Sequence, residues 1–92
     1  MVTAVILINA ERGCVGRVAE ELAALPSISE VYSVGGSYDL VAIVRVRENE
    51  ELAHLVTDAI QKVEGIARTQ TLLAFKAYSR HDLEGIFSAG ME

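Results

Sequence analysis

The sequence predicts an α+β fold of βαββαβ order: a four-stranded antiparallel sheet with both helices on one face, the ferredoxin-like arrangement. Three observations predict it. Four short stretches rich in β-branched residues alternate with two stretches whose apolar residues recur at helical spacing. The chain has 92 residues, 51% hydrophobic and 23% charged, enough apolar material for one core and too little chain for two. Finally, the central strands are apolar on both faces. Val5 and Leu7 oppose Ala4, Ile6 and Ile8, while Val41 and Ile43 oppose Leu40, Ala42 and Val44, so helices on one side leave an apolar face bare.

Each element has its own signature. Val2 to Asn9 has the continuous apolar pattern of a strand buried on both faces. From Cys14 onward, Val15, Val18, Ala19, Leu22 and Leu25 form a helical stripe with Arg17, Glu20 and Glu21 opposite, and Pro26 stops the helix. Ile28 to Val34 alternates Ile28, Glu30 and Tyr32 against Ser29, Val31 and Ser33. Gly35-Gly36 then signals a hairpin turn into a strand over Tyr38 to Arg47.

Asn49 is the expected N-cap of the second helix. Glu50 and Glu51 stand at the positive end of its dipole, and Leu52, Leu55, Val56, Ala59, Ile60 and Val63 share one stripe. Lys62 fits its last turn and Gly65 the left-handed position past its end. Ile66 to Tyr78 reads as a long fourth strand. Residues 1–78 make the domain, and residues 79–92 a tail that reads either as a short helix capped by Ser79 and bearing Leu83, Ile86 and Phe87, or as a frayed end.

The bare face makes the chain self-associating. At about 25 cal/mol per Å² of apolar surface buried, several hundred square ångströms drive association strongly. The expectation is a homodimer packed sheet to sheet, a dimeric α+β barrel, and larger assemblies built from it.

Composition narrows the partners. The net charge is −5 and the eight Lys and Arg form no basic run, which argues against direct nucleic-acid binding. Cys14 is the only cysteine, which excludes an internal disulfide and suits a reducing, cytoplasmic compartment. Val2 to Ile8 lacks the basic lead-in of a signal peptide and runs into Asn9 and Glu11. No run approaches the ~20 apolar residues of a membrane span, so no membrane partner is expected.

Residues for chemistry are few. His54 and Asp58 on one helix face are too few ligands for a metal site, and His81 is remote in sequence. Cys14 heads a helix but has no nearby histidine to activate it, so it reads as a small buried helix residue. Glu11-Arg12-Gly13 lacks the spacing and lysine of a phosphate loop. No catalytic residue and no cofactor are expected.

The segment Val34-Gly35-Gly36-Ser37-Tyr38-Asp39 stands apart. Two glycines expose backbone amides that donate to an α-carboxylate, and Asp39 accepts from an α-ammonium, both as charge-assisted bonds. Such a loop suits a zwitterion, although a plain Gly-Gly hairpin carries the same residues. Thr69 and Thr71 share a face of the fourth strand with Leu73, where their hydroxyls either border a pocket or fill positions that threonine favours. Arg68 and Gln70, on the other face, read as surface or interface residues.

Two ordered motifs carry a resemblance. Val31-Tyr32-Ser33-Val34-Gly35-Gly36-Ser37-Tyr38-Asp39 resembles the valine-rich strand leading into Gly-x-Tyr-Asp of the Lrp/AsnC regulators' C-terminal ligand-binding (RAM) domain. Gly65-Ile66-Ala67-Arg68-Thr69-Gln70-Thr71 resembles that family's Gly-Val-x-x-Thr-x-Thr. The likeness covers about Val2 to Tyr78 and makes residues 1–78 a regulatory domain. It implies an amino-acid effector bound where dimers meet, and assembly of dimers into an octamer or decamer. Val34, Gly36, Ser37, Tyr38, Asp39, Thr69 and Thr71 would bind the ligand. It also implies a stand-alone form without the helix-turn-helix, acting through mixed assemblies with full-length Lrp/AsnC-type regulators. Two rivals share the fold: a small α+β-barrel enzyme of monooxygenase type, which wants polar groups where these helix stripes are aliphatic, and an ACT-like amino-acid-binding domain, which wants a glycine turn after strand one that Gly13 matches only loosely.

Overall fold

The computed structural model describes residues 1–78 and 80. Strand β1 (Val2–Ala10) is central. It pairs antiparallel with β3 (Leu40–Val46), from Val2 opposite Val46 to Ile8 opposite Leu40. On its other side lies β4 (Ile66–Leu73), from Ala4 opposite Leu73 to Ala10 opposite Ile66. Strand β2 (Ile28–Ser33) pairs with β3, giving the order β2-β3-β1-β4. The expected four-stranded antiparallel sheet is therefore present, with both helices on one face.

Alternation along the strands decides what is buried. Ala4, Ile6, Ile8, Leu40, Ala42 and Val44 are wholly inaccessible, and Val18 and Leu22 of α1 (Val15–Ala23) pack on them. Leu55 and Ile60 of the second helix, α2 (residues 49–62), close the same core. Their neighbours Val5, Leu7, Val41 and Ile43 point the other way and are only half-buried. No helix among the described residues covers that face.

Several boundaries differ from expectation. Helix α1 ends at Ala23, ahead of Pro26, because the Leu25 N–H turns back to the Leu22 carbonyl (3.0 Å) and Leu25 folds onto the core. Strand β2 does not alternate strictly. Ile28 lies opposite Val44 but Glu30 lies opposite Ile43, so two residues of β2 face one of β3. This bulge lets Ile28 join the core (5% exposed) while Tyr32 faces the open side.

The second helix is capped by Glu48, not Asn49. Glu48 is extended (φ −133°, ψ 153°), and the Glu51 carboxylate accepts from the Arg47 and Glu48 amides, at 2.8 and 3.4 Å. Helix α2 is α-helical over Asn49–His54, widens to a π turn over Leu55–Ala59 and closes as a 3-10 turn over Ile60–Lys62. Side chains use the loosened carbonyls: Thr57 Oγ1 donates to Ala53 O and Gln61 Nε2 to Val56 O. Gly65 follows at φ +98°, the left-handed position expected of it.

Strand β4 stops at Leu73, short of Tyr78, with Thr3 and Val2 of β1 still beyond its last pair. The Ala74 N–H still reaches Thr3 O (2.9 Å), and the chain then leaves the sheet. The expected helix bearing Leu83, Ile86 and Phe87 lies outside the described residues.

Candidate functional site

The connection from β2 to β3 is a six-residue loop, wider than the tight Gly-Gly hairpin that the sequence suggests. Val34 N donates to Asp39 O (3.0 Å), closing its base. Asp39 N donates to Ile8 O (3.0 Å), and the Asp39 carboxylate accepts from Ala10 N (3.0 Å), so both ends of Asp39 tie the loop to β1. Tyr38 reaches further, past the end of β1 to β4. Its hydroxyl donates to Gln70 Oε1 (2.7 Å), and the Arg68 guanidinium lies 5.5 Å from its ring centroid.

These anchors leave the tip open. Gly36 sits at φ +112°, which an L side chain rarely adopts. A Cβ built at Gly35 or Gly36 meets nothing within 4 Å. Gly36 and Ser37 are exposed and Tyr38 and Asp39 half-buried. The glycine-rich tip is thus exposed, and the backbone N–H groups of Gly35, Gly36 and Ser37 take no part in the hydrogen bonds that fasten the loop.

The expected site residues fall into two groups. Leu40 and Thr69 flank Ile8 on either side, so the loop and Thr69 share one end of the sheet. Thr69 and Thr71 lie opposite Ile8 and Ile6, which places them on the helix side. Thr69 borders a hollow of about 230 Å³ between β4 and the end of α2, lined by Ile60, Gln61, Val63 and Arg68. Tyr38, by contrast, clasps Gln70 and Arg68, which alternate onto the open face opposite Leu7 and Asn9. Val34 is exposed at the base of the loop. Thr71, two residues further along β4, does not border that hollow.

Gln70 and Arg68 hold the Tyr38 ring and hydroxyl, a contact that reading them as surface or interface residues did not contain. Alternation put them on the correct face, but their pairing with Tyr38 spans 32 positions and leaves no local signal. A wider hollow of about 570 Å³ lies at the opposite end of the sheet, between Pro26, Arg45 and His54, away from the loop. Among the described residues no three His, Cys, Asp or Glu side chains group as metal ligands. No helix among them is long and apolar enough to cross a membrane. On the open face, hydrogen bonding to Glu30, then that carboxylate's charge, holds the Tyr32 phenol above its ordinary pKa. Tyr32 therefore brings no charge to the face near neutral pH.

A model of the Lrp/AsnC ligand binding domain matches residues 3–83. The HTH-type transcriptional regulator FL11 of Pyrococcus furiosus is 35% identical over 77 residues, 84% of this chain and 50% of that protein. The chain spans about half the length, or less, of the curated relatives it matches. The crystal structure of TTHA0845 from Thermus thermophilus aligns with a TM-score of 0.82 at 51% identity, covering 87% of this chain and 100% of that one. The Neisseria meningitidis transcriptional regulator NMB0573, solved with L-methionine, aligns with a TM-score of 0.76 over 86% of this chain and 53% of that one. At 15% identity that likeness is one of fold.

Proposed function

The chain belongs to the Lrp/AsnC ligand-binding-domain family, and from that premise we propose that it is an amino-acid sensor whose ligand sets its state of assembly. It binds the amino acid without transforming it. The observation that carries this reading is the anchored loop: an exposed glycine-rich tip whose amides are not used by the loop's own fastening, held by Asp39 and Tyr38 at the end of an uncovered apolar sheet.

In this reading the amides around Gly36 and Ser37 receive the α-carboxylate. Asp39 spends one carboxylate oxygen on Ala10 N and offers the other to the α-ammonium. The hollow beside Thr69 takes part of the ligand side chain, with Thr71 further along the strand. Val34 and Tyr38 form the walls. The fold neighbour that holds L-methionine supports the ligand class. The open face supports a sheet-to-sheet dimer, and in this reading the loop at its end makes the contacts between dimers in an octamer or decamer.

Ligand that completes its pocket across such a contact favours the assembly containing it, by its difference in affinity for the two states. At a ligand concentration one hundred times its dissociation constant the bound form gains about 2.7 kcal/mol per site, enough to shift a balanced assembly. The curated relatives are transcriptional regulators about twice as long, so mixed assembly with full-length regulators is the route proposed from ligand to DNA. A thermal-shift screen of the twenty amino acids, read with light scattering, tests the sensor. A few amino acids raise the melting temperature and change the particle size, and Asp39→Ala abolishes both effects. No response to any of the twenty overturns it.

A further inference from the structure

Beyond β4 the chain carries two aromatic residues into solvent. After the bond from Ala74 N to Thr3 O, residues through Tyr78 belong to no strand or helix. Phe75 is 95% exposed and Tyr78 77% exposed. A phenylalanine ring buries about 150–250 Å² when it finds a site, and Phe75 lacks that burial here, whereas the Tyr78 ring has Lys76 Nζ 5.3 Å from its centroid.

The same segment walls a groove of about 440 Å³ with Met1, Thr3 and Arg45. Thr3 and Arg45 face each other across β1 and β3, in line with Val5 and Ile43, so this groove continues the open apolar face. Leu72, opposite Val5 on that face, lies two residues before the segment. Arg45 has no carboxylate within 4 Å among the described residues, which leaves its guanidinium able to stack on an aromatic ring. Phe75 stands at the wall of this groove and is 95% exposed, so the groove's interior is left free.

A two-fold interface sets a surface patch against an identical copy of itself. A knob and a groove side by side on one patch are then each met by their complement. We propose that residues 74–78 form an arm that clasps a second copy of this chain, Phe75 entering the groove beside the partner's Arg45. The inference rests on the sheet-to-sheet pairing proposed above and adds its rim.

Sedimentation equilibrium of the full chain, wild type beside Phe75→Ala and Leu7→Asp, separates the two ideas. Phe75 is so exposed that its loss leaves the monomer fold intact, which circular dichroism checks. The arm predicts a dimer dissociation constant weakened at least ten-fold by Phe75→Ala and largely restored by Phe75→Trp. An unchanged constant in Phe75→Ala, with Leu7→Asp still monomeric, overturns the arm and leaves the sheet pairing standing. A wild-type chain that is monomeric throughout overturns both. A second readout mixes two chains that both carry Cys14→Ala, one with Phe75→Cys and the other with Thr3→Cys. Oxidation yields a cross-linked pair if the arm reaches across, and none if it does not.

Discussion

Asp39 and Gly65 do the most with the least side chain. Gly65 takes φ +98°, its carbonyl accepts from Glu11 N (2.7 Å), and a Cβ there would stand 2.7 Å from Arg17 Nη2 and 3.0 Å from Cys14 Cβ. Gly65→Ala thus adds a crowded contact to the intrinsic penalty of about 1 kcal/mol for a side chain in left-handed backbone. The expected loss is about 1–3 kcal/mol, read as a lower denaturant midpoint at unchanged slope. Asp39 is the loop's fastening. Asp39→Ala frees the Ala10 amide, and hydrogen exchange at that amide rises at least ten-fold while exchange at Ile6 and Ala42 stays put. The sequence singled out Asp39 and Tyr38 as a carboxylate and a phenol behind two glycines, a pattern that a plain hairpin also carries. It did not show that Asp39 serves β1, nor that Tyr38 needs Gln70, because both are contacts between distant positions.

Element boundaries follow from competition between local preference and the sheet. The stripes of α1 and α2 and the apolar strands were readable because periodicity records which face is buried. The β2 bulge was not, because alternation by itself assigns Ile28 and Tyr32 to one face. Only pairing with Val44 and Val41 separates them. Deleting Ser29 removes the extra residue and forces Ile28 out of the core or Tyr32 into it. The expected loss is about 2–5 kcal/mol, that of truncating a buried Ile, whereas Ser29→Ala stays within about 0.5 kcal/mol. The cap of α2 was misplaced by one residue because Asn49 is the better cap by type. The Glu51 carboxylate, reaching back to the Arg47 and Glu48 amides, selects Glu48 instead. Glu51→Ala should lower stability by about 1 kcal/mol, with Glu51→Gln retaining most of it.

For the molecule as a whole, the governing feature is an asymmetry between the two faces of one sheet. One face is sealed by Val18, Leu22, Leu55 and Ile60; the other shows Val5, Leu7, Val41 and Ile43 half-buried, with Tyr32 and Leu72 beside them. A stable interface removes about 800 Å² per partner, and a charge at its apolar centre opposes that burial strongly. The two-faced apolar pattern of β1 and β3 announced this before any coordinates, whereas the groove beside Thr3 and Arg45 depends on where β4 ends. Sedimentation velocity of the full chain at micromolar concentration, alone and with each effective amino acid, beside Leu7→Asp, is the most direct test. The wild type is expected to sediment as a dimer or larger species that gains mass with ligand, and Leu7→Asp as a folded monomer. A wild-type chain that sediments as a stable monomer with or without ligand would contradict this expectation.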